Sequence, residues 1–211
     1  VTGEVSKKNA YIYSISLGLI GYLILYTQST ILAANIALSA NIFYSFIYTL
    51  ILKPRTNQNI VIGGAAGAAP VLIGWAATGS ELEIGSWLLF LLVFLWTPAH
   101  FWALSLENID DYKDADFPML PTQESKKRTT IFIGVYSCAT VITSILLAPI
   151  LQLGITYLVL ALIFGVYLMY KSYGLYLDKV KPISYFIFSN TYLAAIFLSM
   201  VGDIFITLGS I

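Results

Sequence analysis

Seven continuous apolar runs constrain the fold of this chain more than any other feature of its sequence. They cover roughly residues 10–27, 30–52, 59–78, 86–106, 130–149, 154–171 and 183–206. A helix needs about 17–25 mainly apolar residues to cross the hydrocarbon layer of a bilayer. Transmembrane barrels alternate apolar and polar residues, and these runs do not. The sequence therefore predicts an all-α, polytopic transmembrane helical bundle with seven spans, forming a single domain over residues 1–211.

The composition supports a membrane protein and excludes several other classes. The chain is 58% hydrophobic and 10% charged, whereas soluble domains are about 25% charged. Its net charge is zero and no basic patch indicates binding of nucleic acid. Cys138 is the only cysteine, so no disulfide within the chain is possible.

The basic residues all fall on one side of a seven-span topology. If the connections are assigned alternately to two faces, the face with the N-terminus receives every lysine and arginine, and we call it the basic face. These residues are Lys7, Lys8, Lys53, Arg55, Lys113, Lys126, Lys127, Arg128, Lys171, Lys179 and Lys181. The positive-inside rule places this face in the cytoplasm or an organelle matrix. The sequence thus predicts an integral membrane protein of the bacterial cytoplasmic membrane, with the mitochondrial inner membrane as the alternative.

Four aspartates occur within seven residues of the basic face, at positions 110, 111, 114 and 116. On a helix, Asp110 and Asp114 would be neighbours about 5–6 Å apart at Cβ. Carboxylate oxygens suit Mg²⁺, which bridges them to phosphate. We therefore predict that Asp110, Asp111 and Asp114 are metal ligands. The alternative, a solvated acidic loop offset by nearby lysines, stays open.

Lys53 and Arg55 lie on the same face as the aspartates. Two cations there could neutralise the oxygens of a diphosphate. However, the positive-inside rule explains both residues without any ligand. These two interpretations stay open at this point.

His100 is the only histidine, and it follows Pro98 inside the fourth span. It lies roughly 10 Å below the basic-face end of that helix, and the proline predicts a kink. If the fourth helix continued without a break, then His100, Glu107, Asp111 and Asp114 would lie within a narrow arc of its surface. His100 is either a substrate-binding group or a packing residue hydrogen-bonded to a neighbouring helix.

A glycine-rich run, Gly63, Gly64 and Gly67 with intervening alanines, sits inside the third span. A dinucleotide-binding fingerprint would need a preceding strand in a βαβ unit. Small residues at spacings of three and four let membrane helices approach closely. The run therefore predicts helix packing.

Several short motifs point together to one family. They are Lys53 to Thr56, Asn59-Ile-Val-Ile-Gly-Gly-Ala-Ala-Gly-Ala, Gly74-Trp75, Trp96-Thr-Pro, His100-Phe-Trp-Ala-Leu, Asp110-x-x-x-Asp114, Pro118-Met-Leu-Pro121 and the final span with Phe186, Ser189 and Tyr192. The set resembles the protoheme IX farnesyltransferase (heme O synthase) branch of the intramembrane, UbiA-type prenyltransferase superfamily. The His-Phe-Trp-Ala-Leu and Pro-Met-Leu-Pro motifs are specific to the heme branch, and the aspartate motif marks only the superfamily.

The resemblance implies an activity and a set of functional residues. The implied reaction transfers farnesyl from farnesyl diphosphate to a vinyl group of heme B, giving heme O, with heme B as a substrate and Mg²⁺ as the metal. The implied partners are both substrates, the lipid bilayer, and heme A synthase or the terminal oxidase assembly. The implied catalytic residues are Asp110 and Asp114, and the implied substrate-binding residues are Lys53, Arg55, Asn59, His100 and Trp102.

The resemblance also implies nine helices and a first aspartate motif, followed by a stretch similar to Val1-Thr-Gly3. On that alignment the chain starts near the third helix, and we expect little activity from it alone. Three alternatives stay open: a prenyltransferase with an aromatic acceptor such as a quinone precursor, a non-catalytic fragment, and a transporter or channel. The scarcity of carboxylates within the spans argues against the last.

Overall fold

The structure, a computed structural model, describes residues 4–208, with side chains through Ile206. Val1-Thr-Gly3, which the resemblance aligns with the family, lies outside the described residues. The helices are α1 (Lys7–Gln28), α2 (Ile31–Ile42), α3 (Asn59–Ala77), α4 (Ile84–Glu107), α5 (Ile109–Asp114), α6 (Leu120–Gln123), α7 (Lys126–Ile150), α8 (Ile155–Tyr176) and α9 (Pro182–Leu208). A π-helix, Phe43–Leu52, continues α2.

Seven helical segments within residues 4–208 are long and apolar enough to cross a bilayer. They are α1, α2 with its π-helical continuation, α3, α4, α7, α8 and α9. This confirms the predicted polytopic helical fold. The fifth span begins at Lys126, four residues before its apolar run, because Ser125 caps it by accepting a hydrogen bond from the Arg128 amide. Hydropathy alone does not detect such a start.

The π-helix is the main local feature that the sequence did not predict. The Lys53 amide donates to the Tyr48 carbonyl at 2.8 Å, five residues earlier, and the Thr49 hydroxyl donates to the Tyr44 carbonyl at 2.8 Å. Such i→i+5 bonds leave no mark in apolar periodicity, and π-helical turns often occur at functional sites. This segment leads directly into the loop that carries Lys53.

The packing interpretation of the glycine run is confirmed for two of its glycines and wrong for the third. A Cβ at Gly63 would overlap the Tyr48 ring, and one at Gly64 would lie 3.4 Å from Thr97 of α4. Gly67 is exposed, and a Cβ there would meet nothing within 4 Å. Close helix approach therefore needs glycine only where α3 meets the π-helix and α4.

Buried hydroxyl groups connect α7, α8 and α9. The Tyr185 and Ser137 hydroxyls lie 2.6 Å apart. The Tyr192 hydroxyl donates to Ser144 Oγ at 2.8 Å, and the Tyr157 hydroxyl donates to the Ser144 carbonyl at 2.7 Å. In an apolar interior such groups need partners, so these bonds fix how the three helices face one another.

Asp203 caps α8 from the facing helix α9. Its carboxylate is buried and accepts from the Gly154 amide at 2.6 Å and the Tyr157 amide at 3.4 Å. The first amides of a helix have no partner inside the helix, so this carboxylate supplies one.

We expect Asp203→Ala to destabilise the protein by about 1–3 kcal/mol, because it leaves buried amides without an acceptor. Thermal unfolding of the purified protein in detergent measures the effect. Asp203→Asn is the matched control and should lose less, because one amide oxygen still accepts. Equal melting temperatures for wild type and Asp203→Ala would show that the cap contributes nothing.

Candidate functional site

Asn59 joins two loops on the basic face. Its buried side chain donates from Nδ2 to the Lys53 carbonyl at 3.4 Å and to the Pro118 carbonyl at 3.2 Å. The Lys53 ammonium lies 5.1 Å from the centre of the Phe117 ring. Together these contacts hold the 53–58 loop against the segment that begins at Phe117. We call the set Lys53, Asn59, Phe117 and Pro118 the Asn59 corner.

The helix with the aspartates is attached to this corner. The Phe117 amide donates to the Tyr112 carbonyl of α5 at 2.9 Å, and the two rings lie 6.3 Å apart. Asp116 ends the turn with a positive φ of 50°, a conformation that favours glycine. The structure therefore brings the basic loop and α5 to one region through Phe117, as the two predicted halves of a diphosphate site require.

The predicted arc from His100 to Asp114 does not form. Helix α4 ends at Glu107, and Asn108 with φ −109° and ψ 36° separates it from α5. Glu107 instead accepts from the Ile183 amide at 3.1 Å, at the start of α9. Because the helix is broken there, helical periodicity cannot place His100 relative to the aspartates.

The three predicted metal ligands are all exposed on α5. Within residues 4–208, no group of three or more His, Cys, Asp or Glu side chains is arranged to hold a metal ion. A helix turns about 100° per residue, which separates Asp110 from Asp111. Asp110 and Asp114 share a face of α5, and neither forms an ion pair with any other described residue. Two such carboxylates fit Mg²⁺ shared with a phosphate, whereas a closed cage of three does not form.

The side chains of Lys53 and Arg55 differ in how strongly neighbouring residues restrain them. Lys53 is partly buried and lies over Phe117, while Arg55 is exposed. The Arg55 guanidinium has no hydrogen bond or ion pair within the described part of the chain. It is therefore available to an anion, and its five N–H donors suit phosphate oxygens.

Asn59 and Trp102 each leave one buried polar atom without a partner among residues 4–208. These atoms are Asn59 Oδ1 and Trp102 Nε1. A buried unsatisfied group costs about 1–3 kcal/mol. Asn59 uses its amide donors to hold the corner, and its side-chain oxygen is left without a hydrogen-bond donor. Trp102 packs with its ring edge-to-face against Tyr136 of α7 at 5.3 Å.

His100 is clamped between two aromatic rings. Trp96 of the same helix stacks on it at a centroid distance of 4.2 Å, and Phe186 of α9 stacks on it at 4.3 Å. Only 5% of the residue is exposed. With both ring faces covered, the ring can meet a ligand only through its edge.

The hydrogen bonds around His100 assign its tautomer. His100 Nδ1 lies 2.7 Å from Ser189 Oγ, and that hydroxyl donates to the Phe186 carbonyl at 2.7 Å. A hydroxyl has one hydrogen to donate, so Ser189 accepts from Nδ1–H. This assignment leaves the lone pair of the neutral ring on Nε2. The interhelical hydrogen bond of the packing interpretation is thus present, and it also orients the second nitrogen.

Sequence reasoning did not foresee the roles of Trp96, Ser189 and Phe117. Trp96 Nε1 donates to the Ser189 carbonyl at 2.8 Å, which locks α4 to α9 beside His100. Phe117 precedes the Pro-Met-Leu-Pro motif by one residue. Trp96 and Ser189 belong to motifs that carry the family resemblance, and Phe117 directly precedes another, so the available signal was their place in or beside those motifs.

Comparison with known proteins gives a consistent result. The UbiA prenyltransferase family matches residues 1–207. The protoheme IX farnesyltransferase of Thermus thermophilus is 42% identical over 205 residues, covering 96% of this chain and 34% of the relative. That of Synechocystis is 43% identical over 205 residues, covering 95% and 65%, and that of Clavibacter sepedonicus is 40% identical over 208 residues, covering 96% and 68%. No solved structure matched. The chain spans between about one third and two thirds of these relatives' lengths.

Proposed function

Because this chain belongs to the UbiA prenyltransferase family, we propose that it transfers a farnesyl group from farnesyl diphosphate to a vinyl group of heme B, giving heme O. Relatives with 40–43% identity carry the name protoheme IX farnesyltransferase. The observation that carries the proposal is the Asn59 corner, where one buried side chain ties the basic loop to the loop after the aspartate helix.

In the proposed reaction, the bond between farnesyl C1 and the diphosphate oxygen breaks and the electron pair leaves with diphosphate. The vinyl group of heme B supplies the electrons for the new carbon–carbon bond to C1. Water then adds to the resulting cationic carbon and loses one proton, which leaves a hydroxyethylfarnesyl chain. Charge thus develops first on the diphosphate, so groups aimed at its oxygens lower the barrier most.

Lys53 and Arg55 are the proposed diphosphate-binding cations. Lys53 is held in place by the Phe117 ring, while Arg55 is free to close on the ligand. Asn59 keeps their loop against the Pro118 segment, and its unpartnered Oδ1 can accept from an ordered water. These residues bind and orient the leaving group.

Asp110 and Asp114 are the proposed holders of a divalent metal, with Asp111 as an outer carboxylate. When bound, Mg²⁺ would neutralise charge on the diphosphate. The two carboxylates lie on one face of α5 and are free of ion pairs within residues 4–208. They can therefore hold a cation brought by the substrate.

His100 is the proposed anchor for heme B, and Trp102 supports α4 beside it. With Nδ1–H donated to Ser189, Nε2 presents a lone pair that can ligate the heme iron. A propionate would instead require a donor at Nε2, so the assigned tautomer favours the iron. Aromatic rings around His100 would also stabilise the allylic cation and exclude water.

The location and the further partner are proposals of the same kind. We place the basic face in the cytoplasm of a bacterium, where the positive-inside rule directs it. Contact with heme A synthase or a terminal oxidase assembly would pass the product directly to its next user.

Incubating this chain, joined to the two preceding helices and the first aspartate motif that the resemblance implies, in liposomes with farnesyl diphosphate, heme B and Mg²⁺ tests the activity. We expect mass spectrometry to detect heme B carrying one farnesyl group and one added water. The matched control replaces heme B with 4-hydroxybenzoate. Prenylation of the control acceptor without any heme product would contradict the proposal and favour a quinone-type enzyme.

A further inference from the structure

A groove of about 750 Å³ lies on the outward surface of α8 and α9, away from His100 and the Asn59 corner. Its walls include Leu162, Ile163, Val166, Tyr167 and Tyr170 of α8 and Phe188 of α9. The opposite face of α8 is packed, since Gly165 lies against Val141 of α7. The groove therefore opens towards the lipid and not towards the bundle core.

Aromatic rings form the floor of the groove and join the two helices. Tyr167 meets Phe188 edge-to-face at 4.5 Å, and Phe164 stacks on Phe188 at 6.4 Å. Tyr170 extends the row by stacking on Tyr167 at 5.9 Å. The surface between Leu162 and Tyr170 runs along α8 for about 12 Å, which suits an extended hydrocarbon chain.

Lys171 lies at the end of the groove nearer the basic face. Its ammonium is 5.4 Å from the centre of the Tyr167 ring and donates to Ser184 Oγ of α9 at 2.8 Å. Within the described part of the chain it has no carboxylate partner. Lys171 lies about 8 Å inside the end of α8, and a charge at that depth in a membrane helix requires an anion or water. The ammonium can reach the headgroup region by extending along the helix.

We propose that this groove binds one anionic phospholipid, with an acyl chain along the aromatic floor and the phosphate on Lys171 and Ser184. A single cation with one hydroxyl matches the one charge of a phosphodiester. A prenyl diphosphate carries more charge and would need further cations or carboxylates beside Lys171. The phosphate end of the groove lies towards the basic face, and basic residues beside a membrane attract anionic lipid.

A bound lipid would link α8 to α9, because its two contact regions each use residues of both helices. Tyr167 and Phe188 hold the chain, and Lys171 and Ser184 hold the phosphate. The inference is independent of the proposed prenyl transfer, since none of these four residues belongs to the candidate site.

Native mass spectrometry of the full chain, released from nanodiscs of phosphatidylcholine and phosphatidylglycerol, tests the proposal. We expect one phosphatidylglycerol to remain bound to the wild type. Lys171→Gln should weaken its retention about fivefold, and Lys171→Arg should retain it. Lys179→Gln is the matched control, an exposed loop lysine with the same change of charge, and should bind as wild type. Equal retention by Lys171→Gln and wild type would overturn the assignment of the phosphate.

A second variant tests the apolar wall of the groove and leaves the charge of Lys171 unchanged. Val166→Trp fills an exposed part of the wall, keeps the bond between Lys171 and Ser184, and should also reduce retention of phosphatidylglycerol. Unchanged retention would overturn the acyl-chain assignment. Titration with farnesyl diphosphate or inorganic phosphate should leave the lipid in place, whereas one-for-one displacement by either would show that the groove is not a phospholipid site.

Discussion

Replacing Asp110 or Asp114 with asparagine is expected to lower the rate of farnesyl transfer on the order of a hundredfold or more. Each carboxylate is proposed to hold the cation that stabilises diphosphate as it leaves, and losing one group aimed at developing charge commonly has an effect of this size. Both residues are exposed on α5, so the melting temperature should stay close to that of the wild type. Single-turnover kinetics with farnesyl diphosphate and heme B in liposomes measures the rate, with each substitution made in the chain joined to the two preceding helices that the resemblance implies.

Asp116→Gly is the matched control for these two variants. It removes a carboxylate from the same acidic segment, but Asp116 has a φ of 50° that glycine adopts more easily. We expect a nearly unchanged rate and an equal or slightly higher melting temperature. If Asp116→Gly were the most damaging of the three changes, Asp110 and Asp114 would not be the metal ligands.

The second large effect is expected at His100, where two substitutions separate its nitrogens. The side-chain nitrogen of asparagine can replace Nδ1 and keep the bond to Ser189, but it cannot replace Nε2. If Nε2 ligates the heme iron, His100→Asn should abolish the spectral signature of ligation and weaken heme binding at least tenfold. The binding of farnesyl diphosphate should not change. Optical titration of the Soret band measures both the signature and the affinity.

The structure changes what a His100 variant can show about stability. His100 is buried, stacked on Trp96 and Phe186 and bonded to Ser189, so its loss should lower the melting temperature under either role. The discriminating readout is therefore spectral. Ser189→Ala is the control that removes the interhelical bond and keeps Nε2. A wild-type Soret band in His100→Asn would show that His100 does not ligate the iron and has only a packing role.

The candidate site was predictable from sequence in its parts but not in its connections. The proposed residues and their predicted membrane face came from local sequence, because charged groups must lie outside the hydrocarbon layer. Asn59 was predicted to bind substrate, yet its amide donors hold the backbone of Lys53 and Pro118, 59 residues away in the second case. No local pattern encodes a bond over that separation.

Helical periodicity does not apply beyond the end of α4 for a related reason. It placed His100 and Asp114 on one arc only if the helix continued, but Asn108 leaves the helical conformation and Glu107 binds the Ile183 amide of α9. The glycine run shows the same limit. Gly63 and Gly64 face neighbouring segments and Gly67 does not, and only the positions of the π-helix and α4 decide which glycines are needed.

By itself, the sequence determined the seven spans and the family, because each depends on residue type and spacing along the chain. Tertiary structure alone decided the tautomer of His100, the Asn59 corner and the groove on α8 and α9 with Lys171 at its end. Each of these joins residues from different helices. Their geometry depends on how the helices pack against one another, which hydropathy does not specify.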